Sequence, residues 1–172
     1  MRKTIEVSNL NQVPFHGCHI EVDEYVPLRF RSYEGTLGAR YIRFGNFNGS
    51  LLEFLLDPNS MTVRGFTLTS FDAVHQPRAI AELPRTAGLP VVESTEGFAG
   101  PTDAPRIDIK ESFSVGFGED FVEIDLGGLS DAQRVIVADR AEFFVGAVGL
   151  VGVRVVGLTT RQVSMVKAQR AE

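Results

Sequence analysis

The sequence predicts a mainly β protein, an antiparallel sandwich or partly open barrel of about ten strands with one short C-terminal helix. Three observations carry this. Short apolar runs alternate with period two, as in His19-Ile20-Glu21-Val22 and Val122-Glu123-Ile124-Asp125. Gly, Pro, Asn and Asp break the chain between those runs. The aromatic content is 13 Phe and 3 Tyr with no Trp, and Phe suits a pleated, half-buried surface.

Each element follows from its own residues. Thr4–Val7, His19–Asp23, Pro27–Arg31 and Tyr41–Phe44 alternate, with Ile42 and Phe44 predicted inward and Arg43 outward. Ser50–Leu56 and Met61–Phe71 flank Asp57-Pro58-Asn59-Ser60, where Pro presets φ and the Asx side chains bond nearby backbone, so a hairpin is expected. Gly65 inside the returning strand predicts a bulge or a close backbone approach. Residues 73–105 hold several prolines and read as a long loop, with one short strand at Leu89–Val92 and its most mobile-looking stretch at Glu93–Thr102. Arg106–Lys110 and Phe113–Phe117 are expected to form a second hairpin with Val122–Leu126. Val135–Val137, Glu142–Val145 and Leu150–Val156 complete the strands. Thr159 or Thr160 caps a helix through Ala168, and the polar end KAQRAE is expected to fray.

The 172 residues are expected to form a single domain, 1–172, large enough to bury its own core. The net charge of −5 has no basic block, which argues against nucleic acid as a partner. The most apolar stretch, Phe143–Val153, is too short to span a bilayer, so no membrane partner is expected. Cys18 is the one cysteine, and the N-terminal residues lack the apolar stretch of a secretory signal; a cytoplasmic location is the expectation.

Chemistry-bearing clusters are few. His16, Cys18 and His19, with His75 elsewhere, are the soft ligands and the site to watch for a small β enzyme or small-ligand carrier. Zinc needs four ligands in separated pairs, so no metal is assigned. An inward strand face for Cys18, Ile20 and Val22 makes the thiol a small buried hydrophobe instead. Glu119, Asp120, Glu123 and Asp125 form an acidic cluster without calcium-loop spacing, and Arg106 and Lys110 are expected beside it as cross-strand partners on a solvated face. Gly146–Gly152 lacks the Lys-Ser/Thr of a phosphate loop and reads as a tight turn between strands. No catalytic residue and no cofactor is assigned.

The central stretch, Ser50-Leu51-Leu52-Glu53-Phe54, then Asp57-Pro58, then Val63-Arg64-Gly65-Phe66-Thr67-Leu68-Thr69, resembles a hairpin of immunity-type proteins from bacterial polymorphic-toxin systems. The resemblance covers about 25 of the 172 residues. It implies a cytosolic protein without enzymatic activity that binds and blocks a cognate toxin. A toxin with a basic cleft would favour acidic partner-binding residues, for which Glu21, Asp23, Glu24, Glu119, Asp120, Glu123 and Asp125 are the candidates. Charge reversal at Glu123 and Asp125 is then expected to slow association without unfolding. A structural or assembly subunit joined through strand edges is the third reading, and the oligomeric state stays open.

Overall fold

In the computed structural model the described residues are 4–11, 18–32, 38–93, 97–100, 102 and 104–172, with backbone alone for 8–11. Two mixed sheets pack face to face around one apolar core, as a sandwich and not a closed barrel. The first sheet has six strands: β2 (His19–Glu21), β3 (Leu28–Arg31), β4 (Arg40–Gly45), β5 (Leu51–Leu56), β6 (Val63–Ser70) and β10 (Arg106–Lys110), in the order β10-β4-β5-β6-β3-β2. The second has seven: β7 (Val74–His75), β8 (Arg85–Ala87), β11 (Ser114–Phe117), β12 (Val122–Asp125), β13 (Arg134–Ala138), β14 (Ala141–Gly146) and β15 (Gly149–Val155), in the order β7-β11-β12-β15-β14-β13-β8. A two-stranded ribbon, β1 (Val7–Asn11) with β9 (Leu89–Val92), bridges to the first sheet at Thr62–Val91 and to the second at Ile5–Leu150.

The sheets are not purely antiparallel. β10 runs parallel to β4, β7 to β11 and β8 to β13, each at a sheet edge. Parallel neighbours need a long connection, and the extra chain comes from the segments that alternation alone could not place. Residues 73–105 are accordingly no structureless loop: they supply β7, β8 and β9. Of Glu93–Thr102, residues 94–96 and 101 lie outside the described ones.

The central hairpin forms as its sequence requires. Asp57 Oδ1 accepts from the Asn59 and Ser60 amides, both at 2.9 Å, and Met61 completes the turn at φ 58°. β5 and β6 pair from Leu51–Ser70 to Leu56–Val63, with register shifts between Leu51 and Leu52 and between Leu55 and Leu56, which leave Thr69 and Arg64 as the extra residues of β6. At Gly65 a Cβ would overlap the Phe30 carbonyl oxygen, so the close approach expected there is present. Ile42 and Phe44 face the core, while Arg43 on the other face holds Asp108 of β10 through two bonds of 2.7 and 2.6 Å. Val122–Asp125 pairs with Ser114–Phe117 as a hairpin, but Arg106 and Lys110 lie in the opposite sheet and are not its cross-strand partners.

Phenylalanine joins the layers. Phe66 lies 5.5 Å from Phe30 and 6.2 Å from Phe54 within the first sheet, and 6.0 Å edge-on from Phe143 of the second. All four rings are buried. Helix α1 (Thr160–Lys167) closes one end and buries Val163 and Val166. Thr159 and Gln162 form a capping box at its start. The tail does not fray as expected: Gln169 Nε2 donates to the Asp23 carbonyl at 2.6 Å, Arg170 Nε to the Asp72 carbonyl at 2.8 Å, and the Ala171 amide to the Phe71 carbonyl at 2.8 Å.

Phe66→Ala removes the ring shared by both sheets and is expected to cost about 3–5 kcal/mol in denaturant unfolding; a loss below about 1 kcal/mol would contradict the central position of that ring. Arg43 holds the Asp108 carboxyl below its usual 3.8, chiefly through their hydrogen bond. The carboxylate therefore stabilises the fold above that pH, and the contribution fades as pH falls through the lowered value. Unfolding followed against pH should show a shallower acid decline for Asp108→Asn than for the parent.

Candidate functional site

The outer face of the seven-stranded sheet carries an unexpected line of charge. Register places His75, Gly116, Glu123, Arg154 and Glu142 side by side across β7, β11, β12, β15 and β14. Alternation correctly assigns Glu123 to the outer face, but the solvated face expected there is absent: Glu123 is 1% exposed and Glu142 7%. The extended segment 76–84, which enters from β7 and leaves into β8, passes over this face as a strap. Its Ile80 and Leu83 pack on a second apolar cluster of Leu129, Val135, Phe144 and Val151.

A buried carboxylate must be paired, and these are. Glu123 Oε1 lies 2.8 Å from His75 Nε2. Glu123 Oε2 accepts from Arg154 Nη2 at 2.6 Å and from Nε at 3.2 Å. Arg154 stacks over the Phe121 and Phe144 rings, 4.6 and 5.2 Å from their centroids. Glu142 bonds Arg85 of β8 through one oxygen and lies 3.9 Å from Arg154 through the other. The row thus fastens the short edge strands β7 and β8 to the sheet.

His75 Nδ1 lies 2.8 Å from Ser114 Oγ. Ser114, His75 and Glu123 therefore stand in the order hydroxyl, imidazole, carboxylate, the sequence of groups that activates a serine nucleophile. A cavity of about 530 Å³ between strap and sheet touches His75, Glu123 and Asp125 but not Ser114. The hydroxyl does not open into that cavity, and the chain of bonds here positions the imidazole rather than presenting a nucleophile. Gly116 makes this possible: a Cβ there would sit 2.6 Å from His75 Nε2 and 3.0 Å from Glu123 Cγ.

The other acidic candidates scatter. Asp125 is half-buried, and its Oδ1 accepts from the Gly127, Gly128 and Leu129 amides at 2.7, 2.9 and 3.1 Å. Glu21 pairs with Arg29 at 3.0 Å and with His19 at 3.1 Å. Asp23 Oδ1 accepts from the Tyr25 and Val26 amides at 2.7 and 2.6 Å, bonds that hold its carboxyl below the usual range. Glu24, Glu119 and Asp120 are exposed. The Leu158 amide, just before α1, bonds the Asp120 carbonyl, and the tail beyond α1 bonds that of Asp23. Helix α1 therefore joins these two acidic turns at one end of the sandwich.

Among the described residues the soft-ligand set does not assemble. His16 lies outside the described residues. Cys18 packs against the core, and burial, then Asp139, pushes its thiol pKa up, as suits an inert hydrophobe and not a nucleophile. His19 points to solvent at a sheet edge, while His75 belongs to the other sheet. Among the described residues no group of three or more His, Cys, Asp or Glu could hold a metal ion. Among them too, no helix is long and apolar enough to cross a membrane.

Sequence reasoning missed Arg154, Glu142, Arg85 and Ser114. The usable signal was a lone charge within an otherwise continuous apolar run, as at Arg154 between LVGV and VV, whereas Glu142 follows Asp139 and Arg140 and carries no such signal.

Gly116→Ala should push the imidazole off Glu123 and leave a buried carboxylate oxygen unpaired, at about 1–3 kcal/mol in denaturant unfolding. Glu123→Lys opposes Arg154 directly and should destabilise by about 3 kcal/mol or more; this corrects the expectation that reversal there leaves the fold intact. Full stability in both variants would show the row to be dispensable. No protein-family model matches this chain, and no curated protein matches it in sequence.

Proposed function

We propose that this is a non-catalytic protein-binding domain, of the immunity type, that occludes a basic surface on a cytosolic toxin. The observation that carries the reading is Tyr25. It is 84% exposed, the largest exposure among the large hydrophobic side chains at described positions. Its backbone is nevertheless fixed, because the Asp23 carboxylate holds the turn from one side and Gln169 holds the Asp23 carbonyl from the other. An exposed aromatic on a fixed backbone adds only its own two side-chain torsions to the entropy lost on burial, and tyrosines of this kind are enriched at protein interfaces.

Charge around the tyrosine supports a partner with a patterned surface. Glu24 flanks it, Glu119 and Asp120 stand at the far side of α1, and Arg161, Lys167 and Arg170 are exposed between. Basic groups on the partner would face the two acidic turns. The buried Glu123 takes no part, and Glu21 is already paired within the chain. In this reading the strap-side network serves the fold, and the α1 end serves recognition.

Affinity capture from native lysate at moderate salt, with the parent and Tyr25→Ala in parallel, tests this. One stoichiometric protein partner is expected with the parent, reduced at least about tenfold with the variant. Equal recovery by the two, or no partner for a monomeric parent, overturns the proposal.

A further inference from the structure

The cavity beneath the strap is independent of the Tyr25 surface. At about 530 Å³ it falls within the range of small-molecule sites. Its walls are of two kinds. Pro77, Ile80, Leu83, Leu129 and Ala132 give an apolar side, and His75, Glu123 and Asp125 give a polar end; Gln76 and Arg78, both exposed, and Ser130 line it too.

The polar groups at that end differ in what they have left to offer. Both Glu123 oxygens and both His75 nitrogens are engaged inside the protein. Asp125 is different: its Oδ1 takes all three backbone amides, and none of the ion pairs among the described residues involves its carboxylate. An acceptor bearing negative charge is thus left at the end of an apolar-walled cavity. A ligand complementary to it has an apolar body and a single cationic head.

We propose that this cavity binds a small organic cation, a primary amine or guanidinium on an apolar body, with its head on Asp125 and its body between the strap and Leu129. Asp125 is the specificity-determining group, and the strap residues Ile80 and Leu83 form the cover. Because the strap is continuous with β7 and β8, occupancy would hold both edge strands more firmly.

Phenethylamine, 2-phenylethanol and 3-phenylpropionate share one body and differ in head charge, so titrating each into the isotope-labelled protein by NMR tests the assignment. Phenethylamine is expected to shift the amides of residues 76–83 and 127–132 with a Kd of about 1 mM or tighter, and the other two to bind at least about tenfold more weakly. Asp125→Asn keeps the amide-accepting oxygen and loses the charge, so the fold should persist while amine binding falls about tenfold. Ala81→Trp, at an exposed lining position, fills the mouth and should abolish the shifts whether or not Asp125→Asn folds. Equal binding of the alcohol, shifts elsewhere in the chain, or no shift up to about 10 mM amine overturns the proposal. None of these outcomes bears on capture through Tyr25, so the two proposals fail separately.

Discussion

A carboxylate that is 1% exposed on the outer face of a sheet constrains everything around it. Glu123 sits where alternation puts a solvated side chain, yet the strap covers it, and a buried charge without partners would cost several kcal/mol. Its partners come from distant parts of the chain, His75 before the strap and Arg154 near the C-terminus. Each partner imposes a condition of its own. His75 can reach only across a glycine, which fixes residue 116. Arg154 stacks on Phe121 and Phe144 and approaches Glu142, so its guanidinium is held on more than the Glu123 side. The entry of the strap, the attachment of β7 and the identity of one glycine thus follow from one buried oxygen pair, while Arg85 on Glu142 attaches β8.

Much of the sandwich was legible because strands with one wet face announce themselves. β5 buries every second residue and β4 buries Ile42 and Phe44, although β6 buries Gly65 to Leu68 in a row; with the Asp57 turn carrying its own hydrogen-bonding instructions, the central hairpin could be read directly. The C-terminal helix was legible for the same local reason, since the capping box is written in Thr159 and Gln162. The tail was not. KAQRAE is polar, but its anchors are backbone carbonyls of Phe71, Asp72 and Asp23, and no composition argument locates a carbonyl from another element.

The parallel edges and the strap escaped for a related reason. β7 has two residues and β8 three, all three exposed, so neither has a pattern to detect. Their pairing is set by what they carry, His75 at one edge and Arg85 at the other, each reaching toward a buried glutamate. Period-two alternation says which side chains share a face; it does not say what covers that face. β14 and β15 did hold a hint, because FFVGAVGLVGV lacks polar alternation and strands of that kind are covered on both sides. With that hint, Arg154 reads as a paired interior charge.

The two ends are held in different ways, which is what the proposed division between folding and recognition rests on. The strap-side row of His75, Glu123, Arg154, Glu142 and Arg85 is paired within the chain, and breaking one pair leaves another charge uncompensated, so that row has little freedom to vary for the sake of a partner protein. The Tyr25 turn is held by the Asp23 carboxylate and the Gln169 side-chain amide, each bonded to backbone, whereas Glu24 and Tyr25 are exposed. Glu24 and Tyr25 can change at little folding cost, which is the condition a partner-specific recognition surface must meet. Basic residues of α1 lie between the acidic turns, so the net charge of −5 is not concentrated at this end. Recognition there would then rest on the placement of Tyr25 and of individual charges more than on long-range attraction, and salt should weaken it less than it weakens a uniformly acidic face.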